Sequence, residues 1–346
     1  MASADRPRIL VIGNAFLDIL LGGKQGLPLR NWPGPGQRLV VDSDELDVFM
    51  GGNGCNVAAG LSALGCEVTL LTALGHDDAG RSLHSELTDF DVRVRNLTPP
   101  RATLSTGHSF VLTSDDDPSY LVIIGANKLL TVEGVSGVAS ELAPFDALLL
   151  VGLGTMPGLD GHIEELIPVL QAIRERASRD GGELPPLVID VTLLEESSRL
   201  GRGPEQLLPL LRCASYVTPN LDEACLLLGL QGDSKQDPML VADKLMKAIE
   251  CEAIAVKTGE TGCVIASERG CVEVSHDRVP MTELKDEVGA GDAWLAGFVS
   301  TLLRAKRDFA GLEAAAAEGN RCGAASVRSV GGVGWLAGDS NDQHAE

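Results

Sequence analysis

Asp286-Glu287-Val288-Gly289-Ala290-Gly291-Asp292-Ala293-Trp294-Leu295-Ala296-Gly297-Phe298 is the stretch from which the rest of the chain is read. Three residues with almost no side chain, Gly289, Ala290 and Gly291, lead into a carboxylate, Asp292. Leu295, Phe298, Val299, Leu302 and Leu303 then recur at helical spacing. A helix starting here leaves first-turn N–H groups unpaired, and the partial positive charge there favours an anion. Side chains this small let a phosphate reach the backbone, with Asp292 beside it. That arrangement suits removal of a proton from an incoming hydroxyl while the turn holds the group being transferred. The same residues also describe a tight turn with glycines at positive φ and an acid near a helix start. The remainder of the chain decides between the two.

At 346 residues the chain fits one large α/β domain or two ordinary ones. A hydrophobic share of 44% supports a sizeable core, so disorder is not the default. With 28 Lys and Arg against 49 Asp and Glu, the formal net charge is −21. That balance argues against general affinity for nucleic acid or an anionic membrane, although a small anion needs only a local positive site. Eight cysteines (55, 66, 213, 225, 251, 263, 271, 322) are scattered without a C-x-x-C pair. They read as small buried thiols in a reducing compartment, not as a disulfide frame or a zinc site. The start of the chain is polar, without a secretory apolar region, and no apolar run is long enough to span a bilayer. A cytoplasmic location is expected.

Residues 8–12 form a short apolar run ending at Gly13, a first buried strand, and 14–18 leave it without a G-x-G-x-x-G. Residues 22–36 are rich in Gly and Pro and read as loop, and 38–49 hold plausible strands of a small sheet. Gly51-Gly52-Asn53-Gly54-Cys55-Asn56 opens a helix over 57–64 that stops at Gly65. A buried strand over 68–74, a turn over 75–80 and another helix follow. Residues 106–113 and 119–124 flank Ser-Asp-Asp-Asp-Pro as a β-hairpin, which could pair with 39–49 as a lid. Strands at 147–151, 187–191, 216–218, 253–257 and 263–266 then alternate with helices that include 161–177, 222–228 and 238–249. The alternation indicates a parallel sheet covered on both faces. An Ala-rich helix over 314–325 comes last, before a polar tail. There is no internal repeat.

In such a sheet, ligands bind outside the carboxyl ends of the strands. Asp18, Asn220-x-x-Glu223, Thr258-Gly259-x-x-Gly262 and the 286–298 stretch all fall there, and their convergence is the argument. Singly, each has an ordinary reading. Asn220 and Glu223 match a helix-capping box; they also match an amide and a carboxylate set around water on Mg²⁺. Lys257 to Gly262 fits a plain hairpin or a loop wrapped on a nucleotide. Gly51 and Gly52 permit close approach of a polyol, with Asn53 and Asn56 as donors and acceptors, or simply form a turn with N-caps. Asp18 can grip sugar hydroxyls, or be a solvated loop acid. The histidines show no metal-ligand spacing, 152–157 lack the third glycine of a dinucleotide fingerprint, and no P-loop is present.

With these stretches in place, the chain resembles the ribokinase-like carbohydrate kinases, the PfkB family, over nearly its whole length. Gly51-Gly52-Asn53-Gly54-Cys55-Asn56-Val57-Ala58 and Asp286-Glu287-Val288-Gly289-Ala290-Gly291-Asp292-Ala293 carry the match, with 75–80, Gly125-Ala126-Asn127, Asn220-x-x-Glu223 and 256–262 in the family's order. The resemblance implies one ribokinase-like α/β domain over 1–338: a doubly wound, mainly parallel sheet flanked by helices. A small β-sheet lid is expected from about 14–50 and 104–125, and 339–346 form a tail. It also implies ATP-dependent phosphorylation of a sugar hydroxymethyl group. Asp292 is then the base, and Gly289, Ala290 and Gly291 the anion hole. Asp18, Gly51, Gly52, Asn53 and Asn56 hold the sugar. Asn220, Lys257, Thr258, Gly259, Gly262 and Asn320 meet the nucleotide. Glu223 and Asn220 sit near Mg²⁺ through water, while Asp286 and the Val288 carbonyl match a K⁺ site. Lid strands imply a homodimer. Asn53 stands where ribokinases usually carry Lys, and Val151-Gly152-Leu153-Gly154 lacks a sugar-binding Glu, so both point away from ribose. Aromatic content of 3%, with Phe16, Trp32 and Phe110 near the lid, leaves few platforms for a nucleoside base. A sugar kinase is the first reading and a nucleoside kinase the second. A non-catalytic sugar sensor would be expected to lack Asp292 or the anion-hole glycine, and a dehydrogenase lacks its fingerprint.

Overall fold

A computed structural model describes residues 6–21, 46–112, 119–178, 183–192, 204–230 and 236–336. The expected 22–36 loop with Trp32, the first part of the 38–49 strands, the hairpin tip and the C-terminal tail lie outside the described residues. Among the described residues thirteen strands run in chain order: β1 Arg8–Gly13, β2 Phe16–Leu21, β3 Leu46–Gly51, β4 Glu67–Thr72, β5 Val92–Asn96, β6 Gly107–Leu112, β7 Ser119–Ile123, β8 Ala147–Val151, β9 Leu187–Ile189, β10 Tyr216–Val217, β11 Ala253–Lys257, β12 Gly262–Ser267 and β13 Gly270–Ser275. Nine form one sheet, ordered β13-β12-β11-β10-β9-β8-β1-β4-β5, and four form a second, ordered β3-β2-β6-β7. β1 pairs in parallel with both β4 and β8, so chain order reverses beside it. Crevices at such a reversal are where doubly wound sheets bind ligands.

β1 shows why the sheet needs two covers. Ile9 and Val11 face one apolar layer, Leu10 and Ile12 the other, and all four are buried. One layer packs under α1 Asn53–Ala63, α2 Asp78–Asp89, α9 Ala290–Leu302 and α10 Phe309–Ser326. α3 Val132–Val138, α4 Pro157–Asp160, α5 Ile163–Ala177, α6 Leu208–Leu211, α7 Leu221–Leu227 and α8 Pro238–Ile249 cover the opposite layer. α9 is buried along nearly its whole length because small residues let α1 and α10 close on it. A Cβ on Gly60 would lie 2.9 Å from Ala296 Cβ, and one on Gly319 would lie 2.8 Å from the Trp294 ring. Six of the eight cysteines are buried. No described helix is long and apolar enough to cross a membrane.

Several expectations shift. The stretch leaving β1 is itself a strand, β2, and the β6–β7 hairpin pairs in parallel with β2, not with β3. Phe16-Leu17-Asp18-Ile19-Leu20-Leu21 is apolar except at Asp18, so no polar–apolar alternation marks it as a strand. β12 and β13 are antiparallel additions at one edge, which a two-glycine turn into β12 permits. α1 begins at Asn53, earlier than the apolar run at Val57 suggests, because helical backbone needs no apolar side chain in its first turn.

Candidate active site

The start of α9 is open. Gly289, its N-cap, has φ +80°, and a Cβ there would meet Gly332 Cα at 2.5 Å, so only glycine fits. No side chain caps the helix. The Ala290 N–H donates to Glu287 O at 3.2 Å, whereas the N–H groups of Gly291 and Asp292 have no acceptor among the described residues. Two aligned donors and the helix dipole therefore face one space.

Asp292 is 5% exposed and held from α1. Asn53 Nδ2 donates to its Oδ1 at 2.9 Å, and Asn56 Nδ2 to its Oδ2 at 2.8 Å. Burial pushes the Asp292 carboxyl above its ordinary range; the two amides pull it back, Asp190 pushes it up and Lys257 pulls it down. Each carboxylate oxygen keeps a lone pair beyond the amide it accepts. Asn56 Oδ1 is buried and has no partner among the described residues.

Gly52, with φ +88°, brings the α1 N-terminus against Phe16 N and Asn14 O. Asn14, at the end of β1, accepts from Gly54 N at 3.2 Å and donates to Asn53 Oδ1 at 3.3 Å and Thr155 Oγ1 at 2.5 Å. Thr155 lies in the loop after β8, a region that carries no acid in this sequence. Asn127 clamps Ala15, accepting from its N–H at 2.9 Å and donating to its carbonyl at 2.8 Å. Asp18 is half-buried on β2, with its carboxylate filling the space a side chain on Gly51 would need. Burial first, then Asp292 and Asp286, push its carboxyl up to about 7, against a hydrogen bond to Ser109.

On the other side of the α9 N-terminus, Asn220 and Glu223 form the capping box of α7, with Asn220 N donating to Glu223 Oε2 at 2.7 Å and Glu223 N to Asn220 Oδ1 at 2.8 Å. Lys257 Nζ donates to Asp190 Oδ1 at 2.7 Å, and Thr218 Oγ1 donates to the same oxygen at 2.6 Å. Burial opposes the Lys257 ammonium, but Asp190 and Glu223 outweigh it and raise its pKa. Thr258 N donates to Gly262 O at 2.9 Å, closing a turn with Gly259 at φ +66° and Gly262 at φ +113°. Asn320 is buried behind this turn, accepting from Trp294 Nε1 at 2.8 Å and donating to Val274 O at 2.9 Å. Asp286 accepts from Val288 N at 3.0 Å and Gly331 N at 2.9 Å, tying the turn before α9 to the segment that braces it.

The sequence pattern described as pfkB family carbohydrate kinase matches residues 35–335. The chain belongs to that family. It is a phosphotransferase with an alcohol group as acceptor. The chain is 28% identical over 292 residues to the aminoimidazole riboside kinase of Salmonella typhimurium, covering 82% of this chain and 83% of that protein. It is 23% identical to the bifunctional protein HldE of Rhodopseudomonas palustris, with 87% of this chain matching 56% of that protein, so it spans little more than half of that relative. The aminoimidazole riboside kinase of Salmonella enterica, solved with aminoimidazole riboside and an ATP analogue, superposes with a TM-score of 0.69 at 23% identity, covering 95% of this chain and 96% of that one.

Within this pfkB-family chain, Asn53, Asn56 and Asp292 meet directly, although 236 or more positions separate the asparagines from the acid. Asp18 with Gly51, and Lys257 with Gly291, also come together. Asn320 is turned away, with its amide spent on Trp294 and Val274. Asn14, Thr155, Thr218 and Asp190 escape a sequence reading: single polar residues at strand ends carry no spacing signal. Asn127 lies in a stretch already matched to the family, without an assigned role.

Proposed function

We propose that this kinase transfers the γ-phosphoryl group of ATP to a hydroxymethyl group of a small sugar, of the ribose, fructose or 2-keto-3-deoxygluconate kind. One observation carries the reading: a buried carboxylate, Asp292, stands beside two open amides and is aimed by two asparagines from another helix. The acceptor hydroxyl gives its proton to Asp292 as its oxygen bonds to phosphorus, and the bond to the ADP oxygen breaks. Gly291 N–H and Asp292 N–H bind the non-bridging oxygens, within the anion hole of Gly289, Ala290 and Gly291. Asn53 and Asn56 lower the cost of keeping Asp292 ionised in a buried place. Asn53 and Asn56 border the sugar where they aim Asp292, and Asp18 holds hydroxyls beside Gly51 and Gly52.

Glu223 and Asn220, one carboxylate and one amide joined in the α7 capping box, would hold Mg²⁺ through its waters, and the ion would neutralise charge on the phosphates. Thr258, Gly259, Gly262 and Asn320 belong to the wall on the nucleotide side, Asn320 by bracing Gly262, and Lys257 extends from that wall to the phosphoryl end beside Gly291. Asp286 and the Val288 carbonyl are the candidate K⁺ ligands. The four-stranded sheet, which carries Asp18, is the lid of a single domain over 1–338. Its outer face receives a second copy of the chain, and buried thiols fit a reducing, cytoplasmic setting.

Asp292→Asn is expected to keep ATP binding and lower kcat by about 10²–10⁴-fold. Near-native turnover would remove Asp292 from its role. The 28% identity to a riboside kinase favours one second reading, a nucleoside-like acceptor. ADP release measured against a panel of sugars and ribosides, with and without K⁺, separates the two. No release with any acceptor would favour a sugar-binding regulator.

A further inference from the structure

Lys257 Nζ lies 3.5 Å from the position a Cβ on Gly291 would occupy, so the ammonium and the open Gly291 amide border one space. Its side chain is only 13% exposed and ends in an ion pair with Asp190, which is 5% exposed at the side chain. Thr218 holds the same Asp190 oxygen. An ammonium has three N–H donors, and Lys257 spends one on Asp190; no other acceptor for it stands among the described residues. Around it, Asp190, Glu223 and Asp292 contribute three carboxylates. A phosphate arriving there meets strong repulsion unless a cation faces it.

We propose that Lys257 is the protein's own cation for the transferring phosphoryl group, with Asp190 and Thr218 as the residues that position it. The inference rests on the kinase reading above. Lys257 keeps its proton throughout: it donates hydrogen bonds to the oxygens of the PO₃ group while the bond to ADP breaks and the bond to the acceptor forms. The acceptor proton goes to Asp292, and the electron pair of the broken bond stays on ADP. Charge delocalised over the PO₃ oxygens in the transition state is matched by one fixed ammonium and two amides. Asp190 keeps the ammonium in line and offsets its burial before phosphate arrives.

An ordinary buried strut joining the ends of β9 and β11 would use the same two residues. The two roles separate in the paired variant Asp190→Asn/Lys257→Met, which leaves neither charge stranded and keeps an acceptor for Thr218. Calorimetric titration with Mg²⁺–ADP, alone and with fluoroaluminate as a mimic of the PO₃ group, reads the phosphoryl site without needing the acceptor. The expected result is a variant that melts like the wild type and binds Mg²⁺–ADP within about threefold, yet loses about 100-fold of the affinity gained from fluoroaluminate. If the variant keeps that gain, Lys257 is only a strut. Absence of any gain in the wild type would instead overturn the kinase reading itself. If the pair does not fold, Asp190→Asn/Lys257→Gln carries the same test.

Discussion

Asp18 and Asp292 sense one another's charge across the space between β2 and α9, and Asp286 adds to the field at Asp18. Folded, the Asp18 carboxyl takes up a proton near pH 7, against 3.8 for the ordinary side chain. The native state thus binds more protons between these values. The stability this adds is complete below about pH 4 and is lost as the pH rises through 7. We expect Asp18→Asn to melt increasingly above the wild type between pH 5 and pH 8. Parallel melting curves over that range would refute the shift. On the proposal that the Asp18 carboxylate accepts hydrogen bonds from sugar hydroxyls, the acceptor KM of the wild type should also fall as the pH passes 7. Asp292 is handled differently, since two asparagine amides offset part of its burial, and Asn53 does so where a ribokinase usually has a lysine.

α9 is at once the proposed anion hole and a core element, and these roles place opposite demands on its residues. Its N-terminus needs bare backbone, which Gly289 and Gly291 provide. Its body must be apolar on every side because α1, α10 and the sheet all close on it. The α10 contact is set by Gly319, whose missing side chain admits the Trp294 ring, which in turn stacks on Phe298 with centroids 5.0 Å apart. Gly319→Ala is expected to overpack this seam and destabilise the fold by about 1–3 kcal/mol, despite alanine's better helix propensity. Thermal melting checks it: an unchanged or higher Tm would mean that α10 shifts without cost. Displacing Asn320, next along α10, would loosen Gly262 on the nucleotide side as well.

At the scale of the whole molecule, the four-stranded sheet has the Asp18 face on one side and an exposed apolar face on the other. Asp18 and Ser109 pair across β2 and β6 on the site face, while Val48, Ile19, Phe110 and Leu121 pair in one row on the other. Val48 is 51% exposed and Leu121 56%. If a second copy covers this row, Val48→Lys/Leu121→Lys should halve the mass found by sedimentation equilibrium; a wild type that sediments as a monomer would exclude the dimer. Much of this architecture was legible in the residues. β8, β11 and α8 could be bounded from apolar runs and caps, since burial on both faces of a parallel sheet leaves a continuous apolar signature. The Gly289–Asp292 turn was equally plain, because a helix start stripped of side chains has few structural uses. β2 and its pairing with β6 were not, since which strands adjoin is settled by chain crossings that local periodicity does not record. Local composition by itself determined the fold class, the open helix start and the acid beside it. Tertiary structure alone decided that Asn53 and Asn56 grip that acid, and that Lys257 and Asp190 meet beside Gly291. Hydrogen bonds and ion pairs between residues far apart in the chain form only when the sheet brings its strand ends together.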